Sequence, residues 1–468
     1  MPGNFPNSED LLAYAKQLSE REWLIGYDRD RFYWLVEELI TKLTYLKAKN
    51  LTPTILIAEE DPFKFLAAFL AGVATNCHLF LGNPHWKEQE WQQVFNLVKP
   101  DLFLGNPLLS EQYSSLIIDK NKITNKEKPK IMIPTGGTSG NIRFAIHTWE
   151  TLTASVKGFA CYFEVDKINS FCILPLYHVS GLMQFLRSFL TRGDLAIVSY
   201  KSLKIKENFN VNPHDFFISL VPTQLQFFLQ TDPQWLSKFY TVLLGGAPAW
   251  TTLIEKARNY RIKLAPTYGM TETASQIVTL KPEDFLNNNI SCGRVLPHAK
   301  VTIISETGEL LETGESGLIT IKSDSLCWGY YSECKRYDSF QTDDIGYFDA
   351  QGYLHIIGRN SQKIITGGEN VFPAEVEAAI LETQLVTDVA VIGLPDEKWG
   401  QVITAIYVPK QKEIPVNAIA LAIKDKISRY KQPKHWFPVE SLPRNQQEKI
   451  NYKKLQEIAI ASINLLQN

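Results

Sequence analysis

Ile131-Met132-Ile133-Pro134-Thr135-Gly136-Gly137-Thr138-Ser139-Gly140 sets an apolar run directly before a segment of three glycines and three hydroxyl residues. The run reads as a buried strand, and the segment after it as a loop rich in hydrogen-bond donors. Glycine lets backbone N–H groups approach an anion closely, and Thr135, Thr138 and Ser139 add hydroxyl donors, so the composition suits a polyphosphate. A Walker A loop is excluded, because Asn141 and Ile142 come after Gly140 where that motif needs a lysine and a hydroxyl residue. Taken alone, the segment also reads as an ordinary Gly/Ser/Thr surface loop, and the rest of the chain has to decide.

Upstream, apolar residues recur at helical spacing between Asp28 and Lys49, and Thr54 to Ala58 then reads as a buried strand. Further strand-like runs lie at Leu79 to Leu81, Leu102 to Leu104, Phe171 to Leu174, Ala196 to Val198, Phe217 to Leu220 and Val242 to Leu244, mostly separated by helix-length segments. That alternation predicts an α/β fold with largely parallel, helix-covered sheets. Beyond about Val301 short alternating strands with Gly turns predict antiparallel pairing, as in Leu318 to Ile321 and Gly352 to Ile357. A small α+β unit comes next, with a helix at Pro373 to Leu381, strands at Asp388 to Gly393 and Val402 to Val408, and a helix through Ile414 to Ser428. The expected organisation is a large N-terminal domain, 1–359, whose residues from about 301 form a β-rich subdomain, and a small mobile C-terminal domain, 360–468, hinged near Asn360 to Gln362.

Composition limits the partners. The 468 residues are 45% hydrophobic, and 48 Lys+Arg against 50 Asp+Glu give a net charge of −2, with no basic cluster interleaved with aromatics. Neither nucleic acid nor stable membrane insertion is expected, and a small-molecule partner is. The apolar run Phe65 to Ala74 is shorter than the roughly 18 residues that suggest a span, so it reads as a buried helix. The six cysteines lack CxxC or metal spacing, and the N-terminal stretch lacks the basic and apolar regions of a secretory signal, which predicts reduced thiols and a cytoplasmic location.

Seven further segments succeed the loop in order: Leu174 to Gly181; Val221-Pro222-Thr223; Leu244-Gly245-Gly246-Ala247-Pro248; Tyr268-Gly269-Met270-Thr271-Glu272-Thr273; Thr342-Asp343-Asp344-Ile345-Gly346 with Gly358-Arg359; Gly367-Gly368-Glu369-Asn370; and Leu442-Pro443-Arg444-Asn445 leading to Lys449. Together with the loop they resemble the acyl-adenylate-forming superfamily over about residues 30–455. The resemblance implies two steps with ATP and CoA as substrates: a carboxylate attacks the α-phosphorus of ATP, and a thiol then displaces AMP from the acyl-adenylate.

The same resemblance implies the site residues. Thr135, Gly136, Gly137, Thr138, Ser139 and Gly140 would hold the outer phosphates. Tyr268 would offer a face to adenine, with Gly245, Gly246, Ala247, Pro248 and Gly269 nearby. Thr271 would donate to the α-phosphate and Glu272 would position Mg²⁺. Asp344 would accept the ribose hydroxyls, and Arg359 would reach ribose and phosphate. Lys449 would place a point charge between the carboxylate and the α-phosphate, then leave as the C-terminal domain turns about Ser361 and brings Gly367 and Gly368 to the thiol channel.

Choice of acid rests on finer features. His147-Thr148-Trp149 after the loop, the segment Leu174 to Gly181, and Ser361 with Thr366 to Glu375 are similar to the o-succinylbenzoate-CoA ligases of menaquinone and phylloquinone synthesis. That substrate carries a second carboxylate. Arg187 is the candidate partner for it, with a solvated helix arginine as the rival reading, while His178, Gly181 and Thr223 would border the pocket. Two departures stand out. The loop lacks the lysine usual at position 141, where Arg143 is a partial substitute, and Glu448 precedes Lys449 where relatives have glycine. The second keeps open a catalytically impaired ATP- or acyl-binding protein, beside a CoA ligase for another aryl or fatty acid.

Overall fold

The computed structural model describes residues 5–8, 10–18, 20–49, 52–106, 108–109, 128–136, 142–199, 203, 211–333, 336–411, 414–444 and 450–467. Two compact units emerge: 1–246 with 260–301 and 321–340, and 247–259 with 302–320 and 341–468. Compactness says nothing of motion, so the expected division at 359–360, which is a statement about a hinge, stands apart from these boundaries.

The first unit holds two sheets. In one, the strands Leu24–Ile25, Leu195–Ile197, Asn169–Cys172, Phe216–Leu220, Thr241–Leu244 and Leu264–Met270 lie side by side in parallel, and Ser275–Thr279 and Arg294–Val295 extend the edge antiparallel. In this sheet antiparallel pairing thus begins before residue 301, at the motif Tyr268 to Thr273, where the chain reverses on itself. In the other sheet Leu102–Gly105, Thr54–Ala58, His78–Leu81 and Ile131–Gly136 are parallel, and Ile142–His147 returns antiparallel to the last. The expected run Phe171 to Leu174 stops at Cys172, ahead of Pro175, which has no N–H to give a ladder.

Helices bury the apolar faces of these strands. Helix Pro62–Ala74 starts where the Asp61 carboxylate accepts the Phe63 N–H at 2.9 Å, with proline in the first position. Phe63 and Phe65 through Val73 are buried in it, so its all-round apolar character serves a protein core. Among the described residues no helix is long and apolar enough to cross a membrane. Helix Val179–Leu190 is equally immersed, every residue from Gly181 to Leu190 being buried.

The second unit contains the hairpin of Phe340–Phe348 (from residue 341 on) and Leu354–Arg359, in antiparallel register. Its C-terminal sheet runs Glu369–Val371, Ile364–Thr366, Gly400–Pro409, Val386–Asp396, with His435–Pro438 parallel to Gly400–Pro409. Alternation along Val386–Asp396 sends Val389 and Val391 into one core with Ile380, Ile419 and Ile423, and Ala390 and Ile392 into another with Leu455 and Ala459. The helix expected over Ile414 to Ser428 is shorter, Val416–Ile423: Pro415 caps its start, and the apolar stripe that docks it ends at Ile423.

Candidate active site

The segment Tyr268 to Ser275 is held more thoroughly than any motif alone announces. Thr271–Thr273 make one 3₁₀ turn after strand Leu264–Met270, and Ala274 and Ser275 lie beyond it at φ 51° and 96°. Non-glycine residues with such angles cost roughly 1–3 kcal/mol each and persist only where their surroundings fix them. Here four successive carbonyls are each bound. His147 Nε2 donates to Thr271 O at 2.8 Å, Cys327 N–H to Glu272 O at 2.8 Å, Ser325 Oγ to Thr273 O at 2.8 Å and Ser155 Oγ to Ala274 O at 2.7 Å. Thr273 Oγ1 accepts the Met270 N–H at 3.0 Å and lies 2.7 Å from Ser275 O. At about 1 kcal/mol per bond, these contacts match the strain they oppose. A Cβ at Gly269 would stand 2.2 Å from Ser275 O and 2.5 Å from Gln276 Cα, so only glycine lets the reversed strand come this close.

A carbonyl only accepts, so the bond to Thr271 O puts the His147 proton on Nε2 and leaves Nδ1 facing Thr151 Oγ1 at 3.0 Å. Burial pushes this imidazole down to about 4, so it stays neutral near pH 7. The histidine that closes the loop's return strand therefore shapes the turn carrying Thr271 and Glu272.

Glu272 is 6% exposed, and its Oε1 accepts the hydroxyl of Tyr330, itself 5% exposed. Over the Tyr330 ring, 4.1 Å from its centroid, lies the guanidinium of Arg143. Arg143 is the cross-strand partner of Thr135, and Gly136 ends the loop strand. Gly137, Thr138, Ser139 and Gly140 lie outside the described residues, as does Lys449.

Arg187 sits within the buried helix Val179–Leu190 at 2% exposure, which removes the solvated-arginine reading. Its Nη2 donates to Ser275 Oγ at 3.0 Å and Gln276 Oε1 at 2.8 Å, and its guanidinium lies 4.1 Å over the Phe159 ring. Nε has no hydrogen-bond partner, and among the described residues no carboxylate pairs with it. Burial pushes it down to about 9, so it is still cationic at neutral pH. Arg187 is thus brought against the residues that immediately succeed the Glu272 turn.

The remaining candidates differ in exposure. His178 is the half-buried N-cap of helix Val179–Leu190, its ring 4.6 Å from that of Tyr177. Gly181 is buried, and a Cβ there would lie 2.1 Å from Pro175 O, so its observed task is close packing of the helix start. Thr223 is exposed in the first turn of helix Pro222–Thr231. Tyr268 and Gly245 are half-buried, and Gly246, Ala247 and Pro248 exposed.

In the second unit Asp344 and Arg359 are cross-strand partners, Arg359 Nε standing 3.4 Å from Asp344 Oδ1. A carboxylate and a guanidinium therefore share one face of the hairpin. Ser361 is tied to the neighbouring Asp343: its N–H donates to Oδ1 at 3.0 Å and its hydroxyl to Oδ2. Gly367 and Gly368 form an exposed turn at φ 61° and 88°, with the Gly367 N–H bonded to Trp399 O at 2.9 Å.

Residues 44–331 match the family described as AMP-binding enzyme, and residues 375–449 its C-terminal domain. The chain belongs to the AMP-binding enzyme family. It is 30% identical over 448 residues to a 2-succinylbenzoate–CoA ligase of Listeria monocytogenes, an alignment that covers 90% of this chain and 92% of that relative. The 2-succinylbenzoate–CoA ligase of Bacillus subtilis is 32% identical over 332 residues, 69% of this chain and 68% of the relative. Among solved structures, the O-succinylbenzoate coenzyme A synthetase of Bacillus subtilis in complex with AMP superposes with a TM-score of 0.84 at 24% identity, covering 96% of this chain and 98% of that one. ATP-bound MatB from Rhodopseudomonas palustris gives 0.84 at 20% identity, covering 97% and 99%. At those identities the structures establish the shared fold.

Sequence reasoning missed Ser155, Ser325, Cys327 and Tyr330, the residues that hold the turn. None stands in a recognisable motif, and Ser325 and Tyr330 reach Thr273 and Glu272 across 52 and 58 positions. The pairing of His147 with Thr271 was closer to legible, since both residues belong to segments whose composition marks them.

Proposed function

We infer that the protein is an ATP-dependent carboxylate–CoA ligase acting on 2-succinylbenzoate. In the first step a carboxylate oxygen bonds to the α-phosphorus of ATP and the bond to pyrophosphate breaks. In the second the CoA sulfur bonds to the acyl carbon, the bond to AMP oxygen breaks, and the thiol proton passes to solvent. The products are 2-succinylbenzoyl-CoA, AMP and pyrophosphate. The observation that carries the choice of acid is Arg187, a buried cation with neutral hydrogen-bond partners and no carboxylate paired with it among the described residues. A second carboxylate on the substrate supplies the missing charge. The names of the relatives in Listeria and Bacillus support the same acid.

Each remaining role belongs to this proposal. Backbone and hydroxyl donors of Thr135 to Gly140 hold the outer phosphates, Tyr268 faces adenine, and Asp344 with Arg359 engages ribose. Among the described residues no group of three or more His, Cys, Asp or Glu could hold a metal ion. A single buried carboxylate, Glu272, instead fits Mg²⁺ that arrives on the nucleotide, because this ion binds through one or two carboxylates plus phosphate oxygens. When bound there, it neutralises charge on the phosphates. Lys449 serves adenylation, and the C-terminal domain bearing it, 360–468, turns about Ser361 before CoA attacks alongside Gly367 and Gly368. A cytoplasmic location is part of the proposal, and cell fractionation tests it.

The test is release of pyrophosphate on mixing protein, ATP, Mg²⁺ and 2-succinylbenzoate, beside benzoate and medium-chain acids. Activity with 2-succinylbenzoate well above the others is expected, and no release with any acid defeats the ligase reading. Replacing Arg187 by Ala should raise KM for 2-succinylbenzoate by about 10-fold or more, as expected when a charged hydrogen-bond partner is removed. An unchanged KM with a normally folded variant removes Arg187 from the pocket.

A further inference from the structure

Glu272 is gripped twice by one short segment. The Cys327 N–H binds its backbone carbonyl at 2.8 Å, and three residues on, the Tyr330 hydroxyl binds its carboxylate. That segment is itself stitched to the return strand of the phosphate-loop hairpin: Trp328 N–H to Ile146 O at 2.8 Å, Ile146 N–H to Gly329 O at 2.9 Å, Tyr331 N–H to Phe144 O at 2.8 Å, and a bridge between Ala145 and Tyr330. The Tyr330 side chain is buried, and Arg143, two residues before Ala145 and directly opposite Thr135, covers its ring.

We propose that Tyr330 is a positioning residue for divalent-cation binding, fixing the Glu272 carboxylate through one oxygen so that the group is aimed before nucleotide arrives, and that Arg143 couples this aim to the phosphate-loop hairpin. A carboxylate with two oxygens accepts a hydrogen bond at one and still ligates a cation. Held rigidly, it loses little freedom when the ion binds, and residues that orient a metal ligand in this way commonly govern affinity by about 10- to 100-fold. Arg143 meets the ring at the exposed rim of the sheet, so its own contribution is smaller. The inference rests on the proposed assignment of Glu272 to the cation.

The experiment measures Mn²⁺ binding by electron paramagnetic resonance to the whole protein with α,β-methylene ATP, for the wild type, Glu272→Gln, Tyr330→Phe and Arg143→Met, with melting temperatures alongside. Tyr330→Phe keeps the ring under Arg143 and removes only the hydroxyl. Its Mn²⁺ affinity should fall by about 10-fold with little change in melting, and Arg143→Met should lower it by about threefold. In turnover, Tyr330→Phe should raise the Mg²⁺ concentration for half-maximal rate while saturating Mg²⁺ restores most of kcat. Wild-type Mn²⁺ affinity in Tyr330→Phe, when Glu272→Gln binds weakly, overturns this inference alone. Wild-type affinity in Glu272→Gln overturns the metal assignment and the inference with it.

Discussion

The turn Thr271 to Ala274 and the hairpin end around Asp343, Asp344, Arg359 and Ser361 both carry proposed nucleotide chemistry, yet they are built in opposite ways. In the turn, four carbonyls are bound by residues far away in sequence, and Glu272 is almost wholly buried. Around the hairpin the bonds of Ser361 to Asp343 and of Arg359 to Asp344 span fewer than 20 positions, and Asp343, Arg359 and Ser361 lie toward solvent. Long-range, buried bonds hold a group still because breaking them requires opening the core; local, hydrated ones exchange readily with water. On the proposed assignments, the difference sets phosphate chemistry on a firmly held turn and the hinge-side groups on lightly held, hydrated contacts.

Lys449 offers the strongest way to break that division. If the C-terminal residues serve one step and the firmly held turn both, Lys449→Ala should slow adenylate formation by about 10²–10³-fold, the usual loss for a charge aimed at a transition state. Transfer from a supplied 2-succinylbenzoyl-adenylate to CoA should stay within a few-fold of the wild type. Single-turnover measurement of the two half-reactions decides it, and equal losses in both would abolish the assignment of separate duties.

Acid and alkali should separate the two units next. Burial lowers His147 from 6.5 to about 4, so the stability gained from its neutral form is present above pH 6.5 and is lost as pH falls toward 4. His298, lowered to about 4 chiefly by burial, adds to the same trend in the first unit. Glu377 in the second unit goes the other way. Burial raises it from 4.5 to about 7, with Asp388 raising it further and the Val391 N–H and Arg444 opposing. Its protonated form is favoured in the fold, so stability is full below pH 4.5 and lost as pH rises through 7. Glu377→Gln should therefore gain about 2–3 kcal/mol relative to the wild type on going from about pH 5 to pH 8. Melting curves at the two pH values check this, and a difference that does not change with pH would show that Glu377 ionises as it would in water.

How far these two regions were legible in the sequence tracks the same contrast. Continuous apolar runs such as Thr54 to Ala58 and Phe217 to Leu220 announced the parallel strands, because strands buried on both faces need no alternation. Gly269 entered the reading only as a neighbour of adenine, and the lack of room for a side chain there shows only once the strand is seen to reverse. The grip on that turn was invisible: Ser155, Ser325 and Tyr330 act through single bonds from distant segments, and a lone serine or tyrosine carries no pattern. Arg187 could be proposed from its helix but not shown to be buried, since its placement depends on Phe159, Ser275 and Gln276 arriving from two other elements. Around Ser361 the sequence suggested a hinge from its neighbours, yet the partner, Asp343, stands next to a residue already assigned to ribose and drew no notice.

That pair makes the smallest and most discriminating prediction. Ser361 gives both its N–H and its hydroxyl to Asp343, and both bonds lie at an exposed site. Ser361→Ala removes one of the two, which should change stability by less than about 1 kcal/mol. If the bond merely decorates the surface, both half-reactions will continue at wild-type rates. If it helps hold one arrangement of a hinge, the ratio of adenylation to thioester formation should shift by a few-fold while the melting temperature stays nearly constant. Asp343→Asn keeps one acceptor oxygen for the Ser361 N–H and turns an amide NH2 toward the hydroxyl, which can then accept, so it should shift that ratio less than Ser361→Ala does. A ratio unchanged in both variants would place the turning point elsewhere than Ser361, whereas a change in melting without a change in ratio would make the contact structural. Only a kinetic shift at constant stability is what a lightly held, partner-changing group produces, and it is the outcome that would carry the contrast between the two regions from geometry into function.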